Sequence, residues 1–335
     1  MECKALVIPA AGAKPGFIPV ALPEPGPGEV TVTTHVSAVS PGTERARALG
    51  MPDTPREFPY HAGYCSAGTV TALGPGVSGP GAVVLKAGDR VAVRVGHRTA
   101  ITVPASLTIP LLGGVDFLHG ALLPLGQVGL QGVRKARIRK GESVLVLGLG
   151  LIGRIAMKVA QVFMAGTVVG ADRSPERLAS ARNEWPAGHI LDTSDPSWTD
   201  KLKDMSGGEG PDVTIEVTGL PDVIPVACRA TRRLGRVVLL SSTRGETTMN
   251  FYRDVHKPGL TLIGAHTDAV PEDTSRPGLW TLKDEAVFYQ ELVAAGRLDL
   301  ANLVTHRVPA SEIIPVYESM LAGDPSVLGI ILDWP

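Results

Sequence analysis

The sequence predicts an α/β chain in which a small β-rich domain precedes a doubly wound parallel sheet. Residues 142–153 run Glu-Ser-Val-Leu-Val-Leu-Gly-Leu-Gly-Leu-Ile-Gly, an apolar strand entering a glycine turn, and an amphipathic helix follows. Up to about residue 118 the chain is a series of short apolar runs broken by Gly and Pro. From about Leu122 onward, helical and strand patterns alternate.

Taken in order, the first part predicts strands at Cys3 to Ile8, Glu29 to Ala38, Ala67 to Leu73, Asp89 to Val95 and Ala100 to Val103, separated by turn residues. Ser143 to Leu147 then read as a strand buried on both faces. Ile152, Ile155, Ala156, Val159, Ala160 and Phe163 recur at helical spacing, with Arg154, Lys158 and Gln161 between them on the polar side. Thr167 to Ala171 form the next strand and end at Asp172. The alternation continues through Gly188 to Asp192, Val213 to Val217, Arg236 to Ser241 and Leu260 to Gly264. Helices near Leu282 to Ala295 and Ser311 to Ala322, with strands at Val304 to Val308 and Leu328 to Leu332, make a tail expected to return to the first domain. The expected division is 1–118, completed by 266–335, and 119–265.

The glycine turn carries a specific physical expectation. Gly148 permits the tight turn, Gly150 lets backbone approach a pyrophosphate, and Gly153 lets helix and strand pack closely. Phosphates then meet the unpaired amides of the helix start, at Leu151 and Ile152. Asp172, about 20 residues beyond, can accept hydrogen bonds from both adenosine ribose hydroxyls and would repel a 2'-phosphate, which argues for NAD over NADP. Arg173 and Arg177 just beyond it either weaken that preference or form the solvated first turn of a helix begun by Ser174-Pro175.

Bulk composition removes several classes. With 335 residues and 44% hydrophobic content the chain can build two cores, and a net charge of −1 gives no bias towards polyanions. No basic tract suggests nucleic acid, and no apolar run reaches membrane-spanning length. Met-Glu-Cys-Lys leads directly into a strand without a signal-peptide pattern, so a cytoplasmic protein is expected. Cys3, Cys65 and Cys228 are odd in number and widely spaced, which suits neither a disulfide framework nor a cysteine-rich zinc site.

Pro25-Gly26-Pro27-Gly28-Glu29-Val30, Gly42-Thr43-Glu44, Gly63 with Gly68-Thr69-Val70, Gly88-Asp89-Arg90-Val91-Ala92, the fingerprint at 141–153, Glu216-Val217-Thr218-Gly219 and Leu260 to His266 together resemble the medium-chain dehydrogenase/reductase superfamily over nearly the whole chain. The resemblance implies a GroES-like catalytic domain, a Rossmann domain, a nicotinamide bound between them, hydride transfer to or from a small-molecule substrate, and a homodimer or homotetramer. Zinc members bind their metal through a Cys before Gly-Thr-Asp, a His-Glu pair after a Gly, and a later acid or Cys. Here Pro41 precedes Gly42-Thr43-Glu44, Tyr64-Cys65 follow Gly63, Leu122-Leu123-Pro124 replace the later acid, and no cysteine lies between Cys65 and Cys228 to build the structural zinc loop. No zinc is therefore expected. Cys65, His61 and His97 or His119 with Asp116 are the residues a relocated metal would need, but nothing in their spacing brings them together and each histidine reads as structural.

Without zinc, hydrogen bonds must polarise the substrate oxygen. Thr43 matches the superfamily's proton-relay hydroxyl, or else caps the turn Pro-Gly-Thr-Glu. Tyr64 replaces a zinc-ligand histidine, and its phenol either donates to the substrate oxygen or fills the vacated space. Glu44 orients Tyr64, binds a polyol hydroxyl, or pairs with Arg45 or Arg47. His61, ahead of His266, is the expected ionisable relay. Thr218 and Gly219 match positions beneath the cofactor, while Ser241 and Ser242 end the next strand beside the nicotinamide ribose; His266 follows the last strand.

The segment 40–45 with Gly63-Tyr64 resembles a branch containing bacteriochlorophyllide hydroxyethyl dehydrogenases and sugar or cyclitol oxidoreductases. The primary expectation is a zinc-independent, NAD-dependent dehydrogenase of a secondary alcohol. The alternatives are an NADPH-dependent quinone or enoyl reductase, against which Asp172 speaks, and a non-catalytic NAD-binding protein.

Overall fold

The computed structural model describes residues 3–77 and 84–335. The chain divides into two compact units, one running to Leu125 and completed by Ala286–Pro335, the other Gly126–Glu285. In chain order the first unit contains β1 (Lys4–Ile8), β2 (Gly16–Pro19), β3 (Glu29–Val39), α1 (Pro41–Ala48), β4 (Tyr60–His61), β5 (Ser66–Leu73), β6 (Arg90–Val93), β7 (Ala100–Pro104), β8 (Thr108–Pro110) and the start of α2 (Phe117–Ala136).

β3 organises this unit. Its 11 residues are long enough to pair with β5, β7 and β16 (Ile330–Asp333), and two register shifts against β5, at Thr31/Val32 and Thr34/Val36, bend it between them. Two cores result. Val30, Val32, Val70, Val91 and Val103 fill one, and Leu6, Val39, Tyr60, Ile330, Leu332 and Trp334 belong to the other. The tail contributes α7 (Leu282–Ala294) from Ala286 onward, β15 (His306–Pro309), α8 (Ile313–Ala322) and β16, with β16 antiparallel to β3.

The second unit holds β9 (Val144–Leu147), α3 (Leu151–Val162), β10 (Val168–Asp172), α4 (Pro175–Arg182), β11 (Ile190–Asp192), α5 (Trp198–Met205), β12 (Val213–Glu216), α6 (Val223–Ala230), β13 (Arg236–Leu239) and β14 (Thr261–Gly264). Its sheet is parallel in the order β11-β10-β9-β12-β13-β14. Every residue of β9, β10 and β12 is buried, as strands covered by helices on both faces must be. The order reverses between β9 and β12, and such a reversal opens a crevice at the carboxyl ends of the strands.

Residues 266–285 lie in this second unit, not in the first as the sequence division had them. α2 holds them there. Gln131 donates to the His266 carbonyl at 2.7 Å, Gln127 to the Leu282 carbonyl at 2.6 Å, and Arg134 to Glu285 and to the Gly278 carbonyl, with its guanidinium 5.1 Å above the Trp280 ring. Among the described residues no helix is long and apolar enough to cross a membrane.

At Gly153 a Cβ would stand 1.9 Å from the Gly148 carbonyl oxygen, whereas at Gly150 it would meet nothing within 4 Å. Gly153→Ala is therefore expected to cost about 1–3 kcal/mol of stability, and Gly150→Ala less than about 0.5 kcal/mol. Urea unfolding of both variants checks this, and equal losses would contradict it.

Candidate active site

The first unit gathers its chemistry where β3 ends. Ser40 precedes α1, with Pro41 at the first helical position, but its side chain makes no capping bond. Glu44 reaches back instead, its Oε1 accepting from the Ser40 amide at 2.8 Å. The Ser40 hydroxyl is thereby left to accept from the Tyr64 phenol at 2.9 Å. Thr43, in the first turn of α1, is a second hydroxyl in hydrogen-bonding reach of that phenol.

Glu44 is fully buried, and three donors converge on it: the Ser40 amide, the Tyr317 hydroxyl at 2.9 Å and His97 Nε2 at 3.1 Å. His97, also fully buried, meets Ser37 Oγ through Nδ1 at 2.9 Å, and Ser37 Oγ accepts from Trp334 Nε1 at 2.9 Å. Proton placement follows from the donor inventory. The Glu44 carboxylate only accepts, so His97 carries a proton on the Nε2 that faces it, and the Ser37 hydroxyl, accepting from the Trp334 indole, has its own hydrogen to turn to His97 Nδ1. Gly63 makes room for the ring: its φ is +88°, and a Cβ there would stand 2.6 Å from His97 Nε2.

Burial raises the Tyr64 phenol well above the usual tyrosine range, and its bonds to Ser40 and Thr43 only partly oppose this. Burial and then the Glu44 charge likewise push the Cys65 thiol well up. These surroundings do not fit the zinc ion that the family resemblance implies. Tetrahedral zinc needs thiolate, imidazole or carboxylate donors with open lone pairs. Here both Glu44 oxygens and both His97 nitrogens are engaged in hydrogen bonds with neighbouring side chains and backbone. Among the described residues no group of three or more His, Cys, Asp or Glu is placed to hold a metal.

Tyr64, Thr43 and Glu44 are thus brought together, Glu44 through the Ser40 that it anchors. Glu44 faces the buried cluster and is closed to solvent. It pairs with neither Arg45, which donates to the Leu321 carbonyl, nor Arg47, which lies 4.4 Å above the Tyr60 ring. His61 does not join the cluster. Its exposed ring faces Arg98 at 3.4 Å, and partial burial followed by that cation lowers its pKa. Ser40, Ser37, His97, Tyr317 and Trp334 had no local signal, because their bonds to one another and to Glu44 and Tyr64 close between distant parts of the chain. His119 stands apart, bridging Asp116 and Asp299 at 2.8 and 3.1 Å.

In the second unit the glycine turn joins β9 to α3. Gly150 occupies the cap position of α3 with no side chain over the helix start, so the first amides, at Leu151 and Ile152, have no intrahelical partner. Gly148, with φ +105°, abuts Thr218: a Cβ on it would lie 3.1 Å from the Thr218 amide. Thr218 donates both its amide and its hydroxyl to the buried Glu216, whose carboxyl burial raises. Gly219 packs near Ser241 and Ser242, so the turn and the ends of β12 and β13 form one polar edge. His266 is exposed and accepts from the Asp268 amide at 3.2 Å.

Asp172 is more committed than expected. Its carboxylate accepts from the amides of Leu149 (2.8 Å), Arg173 (2.7 Å) and Ser174 (3.0 Å), with Arg177 3.6 Å away. Of the roughly four acceptor positions of a carboxylate, these amides take three. Arg177 Nε is buried without a hydrogen-bond partner, and Arg173 is exposed. An open helix start, a carboxylate at the end of β10 and an unmet guanidinium donor fit a dinucleotide: its pyrophosphate over Gly150, Leu151 and Ile152, its ribose towards Asp172 and Arg177.

The model of the zinc-binding dehydrogenase family matches residues 152–279. Over 335 residues the chain is 27% identical to sorbitol dehydrogenase of Ovis aries, covering 90% of this chain and 89% of that one. Over 225 residues it is 30% identical to L-galactonate-5-dehydrogenase of Escherichia coli K12, covering 67% and 61%. The crystal structure of 2R,3R-butanediol dehydrogenase from Bacillus subtilis superposes with a TM-score of 0.81 over 99% of both chains at 22% identity, which establishes the shared fold. Two units of this architecture, a glycine turn over a parallel sheet and these matches lead to one conclusion: residues 152–279 carry the domain of the zinc-binding dehydrogenase family, and the chain as a whole is similar to the medium-chain dehydrogenases and reductases.

Proposed function

We propose that the protein is a zinc-independent, NAD-dependent oxidoreductase that interconverts a secondary alcohol and its ketone, with sugars, polyols or cyclitols as its substrates. The observation that carries this reading is the Tyr64 hydroxyl, backed by Ser40 and Thr43, at the position where zinc members have a metal-ligand histidine. The polyol, aldonate and diol specificities in the relatives' names support the substrate class.

A bound nicotinamide dinucleotide supplies the hydride donor or acceptor. The residues of this chain handle the proton. In the reducing direction the substrate carbonyl oxygen gains a proton as hydride reaches its carbon, and Tyr64 is the acid within this hydroxyl cluster. To serve the substrate, the Tyr64 O–H swings off Ser40 Oγ, and the Ser40 and Thr43 hydroxyls turn to donate to the phenolic oxygen. In the oxidising direction the alcohol proton leaves through the same hydroxyls to solvent, and after reduction solvent returns to Tyr64, through them, the proton it gave up. Glu44 takes no proton in this scheme; it fixes the Ser40 amide and so the direction in which the hydroxyl faces Tyr64. The carboxylate of Asp172 favours a ribose hydroxyl over a 2'-phosphate and hence NAD. An NADPH-dependent reductase would draw on the exposed Arg173 but has no use for that carboxylate.

Tyr64→Phe is expected to leave NAD affinity unchanged and to lower turnover of sorbitol, L-arabinitol or 2,3-butanediol by about 100-fold or more; unchanged turnover would contradict the assignment. The pH sign follows from the raised phenol. Its donor form persists below its elevated pKa, so reduction should show no fall attributable to Tyr64 below about pH 10. A downturn below pH 9 that vanishes in Tyr64→Phe would overturn this.

Glu44→Gln places one acceptor oxygen and one amide group where three donors converge. The expected loss is about 1–3 kcal/mol of stability, accompanied by reduced turnover, and denaturant unfolding checks it. A variant as stable as wild type would contradict the anchoring role.

A further inference from the structure

Arg154 follows Gly153 in α3 and its place in the helical pattern suggests solvent, yet it is 1% exposed, the largest fully buried side chain among the described residues. Its guanidinium uses nearly every direction available to it. Nε donates to the Leu149 carbonyl at 3.2 Å, one terminal nitrogen donates to Ser180 Oγ at 3.1 Å and Glu184 Oε1 at 2.5 Å, and the other donates to the Arg177 carbonyl at 3.1 Å. Leu149 is the middle residue of the glycine turn. Its carbonyl is held by Arg154 and its amide by Asp172, which Arg177 approaches in turn. Leu149, Asp172, Arg177 and Arg154 therefore close a ring joining the turn, the end of β10 and the start of α4.

Stability alone does not account for such a group. Burial opposes the charge on both partners, lowering the Arg154 pKa and raising that of Glu184. An apolar side chain of similar volume often does as well or better in such a place. What an apolar residue cannot do is hold two backbone carbonyls and two side chains in one plane, and a lysine's single ammonium cannot match that fork.

We propose that Arg154 is a positioning residue for the dinucleotide: it fixes the Leu149 peptide, so that the Leu151 and Ile152 amides converge on the pyrophosphate, and it keeps Arg177 against Asp172, which sets the preference for NAD over NADP. The inference rests on the NAD-binding reading given above. Without the brace, the α4 start loses its tie to the turn. Arg177, whose Nε already lacks a partner, then becomes available to a 2'-phosphate.

The test is calorimetric titration of wild type, Arg154→Met, Arg154→Lys and Glu184→Gln with NAD+ and with NADP+ at pH 7, with thermal unfolding of each protein. Arg154→Met should lose roughly tenfold in NAD+ affinity and less in NADP+ affinity, so that the ratio narrows. Arg154→Lys should not restore the ratio. Glu184→Gln, which keeps the guanidinium and an acceptor oxygen but removes the partner's charge, should shift the ratio the same way by less, and it serves if Arg154→Met fails to fold. An unchanged ratio, or equal losses for both dinucleotides in step with thermal stability, would overturn the inference while leaving the NAD reading intact. Wild-type protein that binds neither dinucleotide would overturn both.

Discussion

A carboxylate taken wholly out of water must be met by donors, or its desolvation unfolds the site around it. Glu44 is such a group, and much of the first unit is arranged to satisfy it. Its three donors come from the residue that starts α1, from α8 and from the loop after β6. Through His97 and Ser37 the same network reaches Trp334, one residue from the end of the chain. A side chain in the return segment thus helps to orient a histidine whose partner fixes the hydroxyl facing Tyr64. The charge is not itself one of the groups proposed to meet the substrate; it sets the geometry of the neutral hydroxyls around Tyr64.

The second unit solves a related problem with the opposite sign. Here the open element is a helix start that presents unpaired amides, and the surrounding groups keep it open by satisfying everything else. Asp172 absorbs three neighbouring amides, and Arg154 absorbs the turn's carbonyl. In both units a buried charge with no contact to substrate orders the groups that would make such contact. Both charges are expensive to bury, which is why each is surrounded by partners rather than by apolar side chains.

Much of this fold was legible in the sequence, because strand and helix periods are local properties. The strands from β9 to β14 fell within a residue or two of their predicted positions, and the glycine turn was recognisable from spacing alone. α1 was not foreseen. Pro41-Gly42-Thr43 reads as a turn, yet with Ser40 ahead of it the same residues start a helix, proline being well suited to its first position. The site was legible only where it is local. Tyr64, Thr43 and the glycines stood out by position, while His97 and Trp334 did not, since their contacts with Ser37 span 60 and 297 residues. Arg154 misled for a different reason: helical periodicity places it among polar neighbours, and only the arrival of α4 turns that face inward.

The central claim is that hydroxyls held by a buried carboxylate, rather than a metal, meet the substrate oxygen. Elemental analysis of the purified protein, equilibrated with excess zinc and then dialysed against a weak chelator, tests it most directly. Retained zinc far below one ion per chain is expected. One zinc per chain that is lost when Glu44 or His97 is replaced would contradict it, because the donors assigned here to one another would then belong to the metal.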